Sequence, residues 1–139
     1  MKNLCGGCRC EAIRYECFSE PLAVSFCYCR DCQQASGGPF CNYAAVPAES
    51  VKLLRGQPKG HTVEAETGTK VTREFCRDCG SPLFARTRNV FVIAVGSLDQ
   101  PEYVRPTIAI WLDSAQPWAP ILEHVQRFAK NPPITLGVS

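Results

Sequence analysis

Several features that would place a chain in a membrane, outside the cell or on nucleic acid are missing from this sequence of 139 residues. No apolar run approaches the ~20 residues that a membrane-spanning helix needs. The first residues, MKNLCGG, lack the apolar segment of a signal peptide. The net charge of +2 is too small to favour nucleic acid or an acidic membrane surface as a partner. We therefore expect a soluble, cytoplasmic protein that binds neither nucleic acid nor membranes.

Histidine is scarce, with two residues, whereas cysteine is abundant, with ten. So many cysteines indicate a disulfide framework in a small secreted protein, but metal binding or redox chemistry in a cytosolic one. Because no export signal precedes them, we favour metal binding. His61 and His124 are isolated in the sequence, so neither is a strong candidate for a ligand or a base.

The pattern of apolar residues predicts one mainly β domain over residues 1–139. Alternation and β-branched or aromatic content indicate strands at 12–17, 22–29, 40–46, 89–98 and 106–114. A hairpin is predicted over 62–75, with its turn near Gly68.

Residues 119–130 carry a different pattern. Four apolar side chains recur there at helical spacing, namely Ile121, Leu122, Val125 and Phe128. Pro120 suits the first turn of a helix, and the prolines at 132 and 133 suit its end. One short C-terminal helix over 119–130 is therefore predicted.

The segment FCRDCGSPLF (75–84) holds Cys76 and Cys79 at the spacing of a zinc knuckle. A two-residue spacer lets both sulfurs converge on one ion, and Gly80 relieves the tight turn. A closed structural zinc site needs four ligands, so two more must come from another cluster.

The cluster CGGCRC (5–10) is the natural source of those two ligands. Cys8 and Cys10 lie two residues apart, which on a strand places both side chains on one face. Cys5 with Cys8 is a competing choice, and spacing alone does not separate Cys5 from Cys10.

The middle cluster, CYCRDC, holds Cys27, Cys29 and Cys32 without a neighbouring histidine. Three protein ligands with an open fourth position are typical of a catalytic zinc site. Cys41 could fill that position and make the site structural. A single closed site drawing on all three clusters is a further alternative.

The segment after Cys32, QQASGGPF (33–40), is interpreted as a ligand-facing loop. Gln33, Gln34 and Ser36 offer hydrogen bonds, and the glycines at 37 and 38 let the backbone approach a ligand. Arg30 could offset the charge of −1 that three thiolates and one divalent ion carry together.

Four stretches, taken together, resemble a known family. They are GGCRCEAIRYE (6–16), CYCRDCQQASGGPF (27–40), FCRDCGSPLF (75–84) and the PW pair with its following segment (117–128). Their order and cysteine pattern resemble the glutathione-dependent formaldehyde-activating enzyme (Gfa-like) family over most of the chain. The resemblance implies an Mss4-like β fold with two zinc ions. Family members usually carry glycine, histidine and histidine where this chain has Glu11, Tyr28 and Ala109.

The resemblance also implies an assignment of ligands. It places a structural zinc on the first C-x-C pair and the late C-x-x-C pair, which here are Cys8, Cys10, Cys76 and Cys79. It places a catalytic zinc on the central triple, Cys27, Cys29 and Cys32. The remaining cysteines, Cys5, Cys17 and Cys41, are expected to be small buried apolar residues. Trp111 and Trp118 are expected in the core or at its rim.

The function implied is that of a carbon–sulfur lyase. The enzyme would make or cleave an adduct such as S-hydroxymethylglutathione, with glutathione or a similar thiol as co-substrate. The alternative is a non-catalytic zinc module that binds a protein partner and uses both metals for folding. Electron transfer at a cysteine-ligated iron is a third, weaker reading.

Overall fold

A computed structural model describes residues 3–132, which form eleven strands, one α-helix and four short 3₁₀ turns. The elements in chain order are β1 (Leu4–Gly7), β2 (Arg14–Cys17), β3 (Ala23–Cys27), α1 (Arg30–Ser36), β4 (Cys41–Val46), β5 (Val51–Arg55), β6 (Lys59–Glu64), β7 (Lys70–Phe75), β8 (Pro82–Arg86), β9 (Phe91–Ala94), β10 (Ile108–Ile110) and β11 (Gln126–Arg127). The prediction of a mainly β protein is confirmed. None of the helices in this part of the chain is long and apolar enough to cross a membrane.

The strands form two sheets. A small sheet has the order β1-β2-β5, and a large one has the order β11-β10-β3-β4-β9-β8-β7-β6. The large sheet is antiparallel except where β10 runs parallel to β3 and to β11. The predicted hairpin is confirmed as β6–β7, with Gly68 in its turn at a φ of 85°.

The main core lies between the two sheets. Alternate residues of β2 are buried there, including Tyr15 and Cys17, and they meet Val24, Ala44 and Ile93 from the large sheet. Because side chains alternate along a strand, the next residues of β3 and β4 point to the opposite face of the large sheet. That second face carries the site described below.

The predicted C-terminal helix is wrong. Residues 126–127 form β11 instead, and the amide of Phe128 donates to the carbonyl of Ala109 at 2.9 Å. The amide of Gln126 donates in the same way to Thr107 at 3.0 Å. This segment covers the edge of β10, so its backbone groups pair with a neighbouring strand rather than with one another. Tertiary pairing has outweighed a helical periodicity that spans only two turns.

Candidate metal centres and active site

Four cysteine sulfurs meet beside the small sheet. The Sγ atoms of Cys8, Cys10, Cys76 and Cys79 all lie within 4.8 Å of one another. The sulfur of Cys10 is 3.6 Å from that of Cys8 and 3.8 Å from that of Cys76. Four sulfurs bound tetrahedrally at Zn–S distances of about 2.3 Å would be about 3.8 Å apart. The group therefore has the chemistry and the spacing of a closed zinc site.

Two tight turns supply these sulfurs. The amide of Ile13 donates to the sulfur of Cys8 at 3.2 Å, and the amide of Asp78 donates to that of Cys76 at 3.4 Å. Hydrogen bonds from the hydroxyl and the amide of Ser81 lower the pKa of Cys79 to about 5. Such donors favour thiolates, which are the form that binds metal.

The structure brings Cys10, and not Cys5, to this group. Cys5 lies in β1 opposite Glu16, and its sulfur is 3.8 Å from a carboxylate oxygen of that residue. Spacing left open whether Cys5 or Cys10 joins Cys8, and the pairing of β1 with β2 decides for Cys10.

Three further sulfurs, those of Cys27, Cys29 and Cys32, form a separate group within the same 4.8 Å limit. Cys27 ends β3, Cys29 is the N-cap of α1, and Cys32 lies in the first turn of α1. The amide of Cys32 donates to the sulfur of Cys29 at 3.3 Å. Among residues 3–132, no other Cys, His, Asp or Glu joins this group.

Cys41 lies next to the three-sulfur group but is not one of its members. Its thiol donates to the carbonyl oxygen of Cys32 at 3.3 Å. Its side chain also packs in a small buried cluster with Trp111. Cys17 likewise packs in the main core, with its sulfur 3.3 Å from the hydroxyl of Ser50.

Without a metal, the three sulfurs compete for protons. Hydrogen bonds from Cys27 and Cys32 lower the pKa of Cys29 to about 3, whereas the Cys29 sulfur raises the pKa of Cys27 to about 12. Cys27 and Cys29 raise the pKa of Cys32. One thiolate is thus stabilised by two thiols, and a divalent cation would replace the remaining two protons.

A half-buried arginine lies against this group. Arg73 of β7 places Nη2 at 3.5 Å from the sulfur of Cys32. Burial lowers the pKa of Arg73, but Tyr43 and Cys32 raise it more, so its guanidinium stays charged. Its Nε atom is buried and has no hydrogen-bond partner in the described residues. Arg73 was not among the site residues predicted from the sequence. It lies two residues from both Val71 and Phe75, and residues two apart on a strand share a face, so Arg73 falls on the inward face of the predicted hairpin.

The prediction of a loop directly after Cys32 is wrong for residues 33–36. Residues 30–36 form α1, and Gly37 ends this helix with a φ of 75° and an amide bonded to Gln33. The buried side chain of Gln33 donates to the carbonyls of Tyr28 and Ser114, at 2.7 and 3.0 Å. Arg30 bonds to the amide oxygen of Gln33 and makes no bond to a sulfur. Arg73 therefore takes the place that we expected for Arg30.

The three sulfurs open onto a cavity of about 470 Å³. It lies on the face of the large sheet opposite the main core, and residues 33–40 do not line it. The tip of the β6–β7 hairpin and residues 131–132 border it. Its wall near the sulfurs is made by Tyr43, Arg73 and Trp111.

The two tryptophans have different positions. Trp111 is buried beside the three sulfurs, and its indole donates to the side chain of Asn131 at 2.8 Å. Trp118 is 69% exposed and does not line the cavity. The imidazoles of His61 and His124 are in neither cysteine group.

Comparison with known proteins places these motifs in a family. A family model described as "glutathione-dependent formaldehyde-activating enzyme" matches residues 3–114. The chain belongs to this family. A crystal structure of a Rhodobacter sphaeroides protein is similar with a TM-score of 0.55 and 19% sequence identity, covering 73% of this chain and 96% of that one. At that identity the similarity shows a common fold.

Glu11 and Tyr28, at two of the positions where the sequence resemblance led us to expect other residues, have clear structural settings. Glu11 has a φ of 65°, a left-handed conformation that costs a non-glycine residue about 1–2 kcal/mol. Tyr28 is fully buried, and its hydroxyl donates to the carbonyl of Pro120 at 2.7 Å. Tyr28 therefore anchors the segment before β11 and does not line the cavity.

Proposed function

We propose that this chain is a zinc-dependent carbon–sulfur lyase of Mss4-like fold. Its substrate would be a thiol adduct such as S-hydroxymethylglutathione. The observation that carries the proposal is the contrast between the two cysteine groups. Four sulfurs surround one point beside the small sheet, whereas three sulfurs face a cavity beside the large one. Four cysteine ligands suit a structural zinc ion, whereas three cysteine ligands with an open fourth position suit a catalytic zinc ion.

The two cysteine groups would bind two zinc ions with different roles. Cys8, Cys10, Cys76 and Cys79 would hold a structural ion, and Cys27, Cys29 and Cys32 would hold the reactive one. A zinc ion at the second group supplies stabilisation of a bound thiolate and polarisation of a carbonyl group. The side chains of Tyr43 and Trp111 line that end of the cavity.

Arg73 supplies the positive charge at this group. Three thiolates and a divalent ion carry −1 together, and the guanidinium next to Cys32 brings the sum to zero. In the synthetic direction, the thiol loses its S–H proton, a carbon–sulfur bond forms, and the carbonyl oxygen takes the proton. Cleavage reverses each of these changes.

The test is two-dimensional exchange NMR of glutathione mixed with formaldehyde. With catalytic amounts of the protein, we expect faster exchange between free glutathione and its adduct than in buffer alone. Equal exchange with and without zinc-loaded protein would contradict the lyase and favour the non-catalytic zinc module. The zinc content should be measured on the same sample, where about two ions per chain are expected.

Replacing Arg73 tests its role as the counter-charge. Arg73→Gln is expected to weaken zinc retention at the three-sulfur group by about 10–100-fold, because a neutral side chain leaves the negative charge uncompensated. Arg73→Lys should retain part of the affinity. Competition with a chromophoric chelator measures the effect, and Arg88→Gln, at an exposed arginine outside the cavity, is the control. Unchanged retention in Arg73→Gln would show that the charge is balanced elsewhere.

A further inference from the structure

The floor of the cavity is a row of small and apolar side chains. Strand register places Ala23 opposite Ala45, Ala45 opposite Val92, and Val92 opposite Ala85. These four residues lie on neighbouring strands β3, β4, β9 and β8, and all of them line the cavity. The row therefore forms a continuous apolar surface across the middle of the large sheet.

This surface leads to the three sulfurs. Cys27 lies on the same face of β3 as Ala23, because the two are four residues apart on one strand. Ile108 and Ile110 of β10 line the cavity beside them, and Ile110 is directly opposite Cys27. A ligand at the sulfurs thus has an apolar surface on one side.

Most of the charged residues that line the cavity are exposed, namely Arg30, Glu64, Glu66 and Arg86. Asp31 and Arg73 are half-buried, and Arg73 contacts the sulfur of Cys32. None of these six belongs to the apolar row of the floor. Glutathione is a charged peptide and formaldehyde has one carbon, so neither would cover the apolar floor. Pockets bind ligands of matching polarity, because burying apolar surface against apolar surface is what stabilises the complex.

We infer that the substrate of this site is a thiol adduct that carries an aliphatic group of several carbons next to the reacting carbon–sulfur bond. The inference rests on the proposed function for the bond that reacts, and on the cavity floor for the group beside it. The aliphatic group comes from an aldehyde larger than formaldehyde or from the thiol. In either case the S–H proton moves to the carbonyl oxygen as the carbon–sulfur bond forms.

Binding of stable thioethers tests the apolar floor without any reaction. S-methylglutathione and S-hexylglutathione differ by five methylene groups and have no thiol to exchange. Isothermal titration of the zinc-loaded protein should give an affinity for the hexyl compound that is higher by on the order of 1,000-fold if all the added methylenes are buried, at about 0.8 kcal/mol for each. Affinities that agree within about threefold would overturn the inference.

A bulky substitution on the floor locates the binding. Ala45→Leu should lower the affinity for the hexyl compound much more than the affinity for the methyl compound, and so remove most of the gain. Ala48→Leu, at an exposed alanine outside the cavity, should keep the gain. If Ala45→Leu lowers the melting temperature, Ala23→Leu at a half-buried position of the same row serves instead. If a folded Ala45→Leu or Ala23→Leu variant still preferred the hexyl over the methyl compound as strongly as the parent does, the inference would be overturned.

Exchange rates then distinguish the source of the aliphatic group. Faster exchange for glutathione with hexanal than with formaldehyde assigns the group to the aldehyde, and faster exchange for hexanethiol with formaldehyde assigns it to the thiol. No preference for either longer compound over the glutathione–formaldehyde pair would overturn the inference while leaving the lyase proposal intact. No exchange with any pair, together with a hexyl-dependent gain in binding, would instead refute the lyase and leave the apolar floor supported.

Discussion

Cys29→Ser is expected to lower the zinc content from about two ions per chain to about one and to abolish the exchange activity, with a loss of more than about 100-fold. The sulfur of Cys29 caps α1 and belongs to the group of three, so its removal leaves two ligands. A serine hydroxyl can still cap the helix, and the protein should therefore stay folded. Elemental analysis, circular dichroism and exchange NMR on one preparation measure the three effects.

Cys41→Ser is the matched control for this prediction. Cys41 is a buried cysteine next to the same group, and serine would keep the hydrogen bond to the carbonyl of Cys32. We expect both ions and the activity to be retained. Loss of zinc in Cys41→Ser would mean that a fourth sulfur closes the site, and loss of both ions in Cys29→Ser would rule out two independent sites.

Cys79→Ser should have the largest effect on stability. Cys79 is exposed, so its removal changes little apolar packing, but it would break the group that ties Cys8 and Cys10 to the knuckle at 76–79. Structural zinc ions contribute free energy of folding directly. We expect a loss of several kcal/mol, on the order of 5, in the free energy of unfolding. Thermal and urea unfolding of the zinc-loaded protein measure this loss.

Cys5→Ser provides the comparison for Cys79→Ser. Cys5 belongs to the same N-terminal cluster in the sequence but lies outside the four-sulfur group. The Cys5→Ser variant should keep both zinc ions, and its free energy of unfolding should be lower than that of the parent by less than about 1 kcal/mol. Equal stability of Cys79→Ser and the parent would show that the four-sulfur group does not hold a structural metal.

Much of the sheet could be predicted from local pattern. Alternation in 12–17 and the apolar stretches at 22–29 and 40–46 correspond to β2, β3 and β4. Gly68 marked the turn of the β6–β7 hairpin, where a positive φ is required. These features depend on residues that are close together in the chain, and local sequence patterns therefore predict them.

The two errors in secondary structure have a common cause. The apolar periodicity of 119–130 was helical, but the edge of β10 offered that segment a strand partner. The segment 33–40 was interpreted as a loop because the helix of seven residues that ends within it is too short for a helical period, and the Gly37–Gly38 pair is also typical of loops. In both cases the outcome depended on contacts with residues far away in the chain.

By itself, the sequence determined which residues can bind metal. Cysteine spacing in Cys27–Cys32 and Cys76–Cys79 sets how nearby sulfurs converge, and it depends only on local geometry. Spacing left the choice between Cys5 and Cys10 open, and the family resemblance favoured Cys10. The tertiary structure placed Cys10 with the other three sulfurs, left Cys41 outside the group of three, and brought Arg73 to Cys32 across 41 positions of the chain. The physical reason is that strand pairing and register, rather than neighbouring residues in the chain, determine which side chains face the cavity.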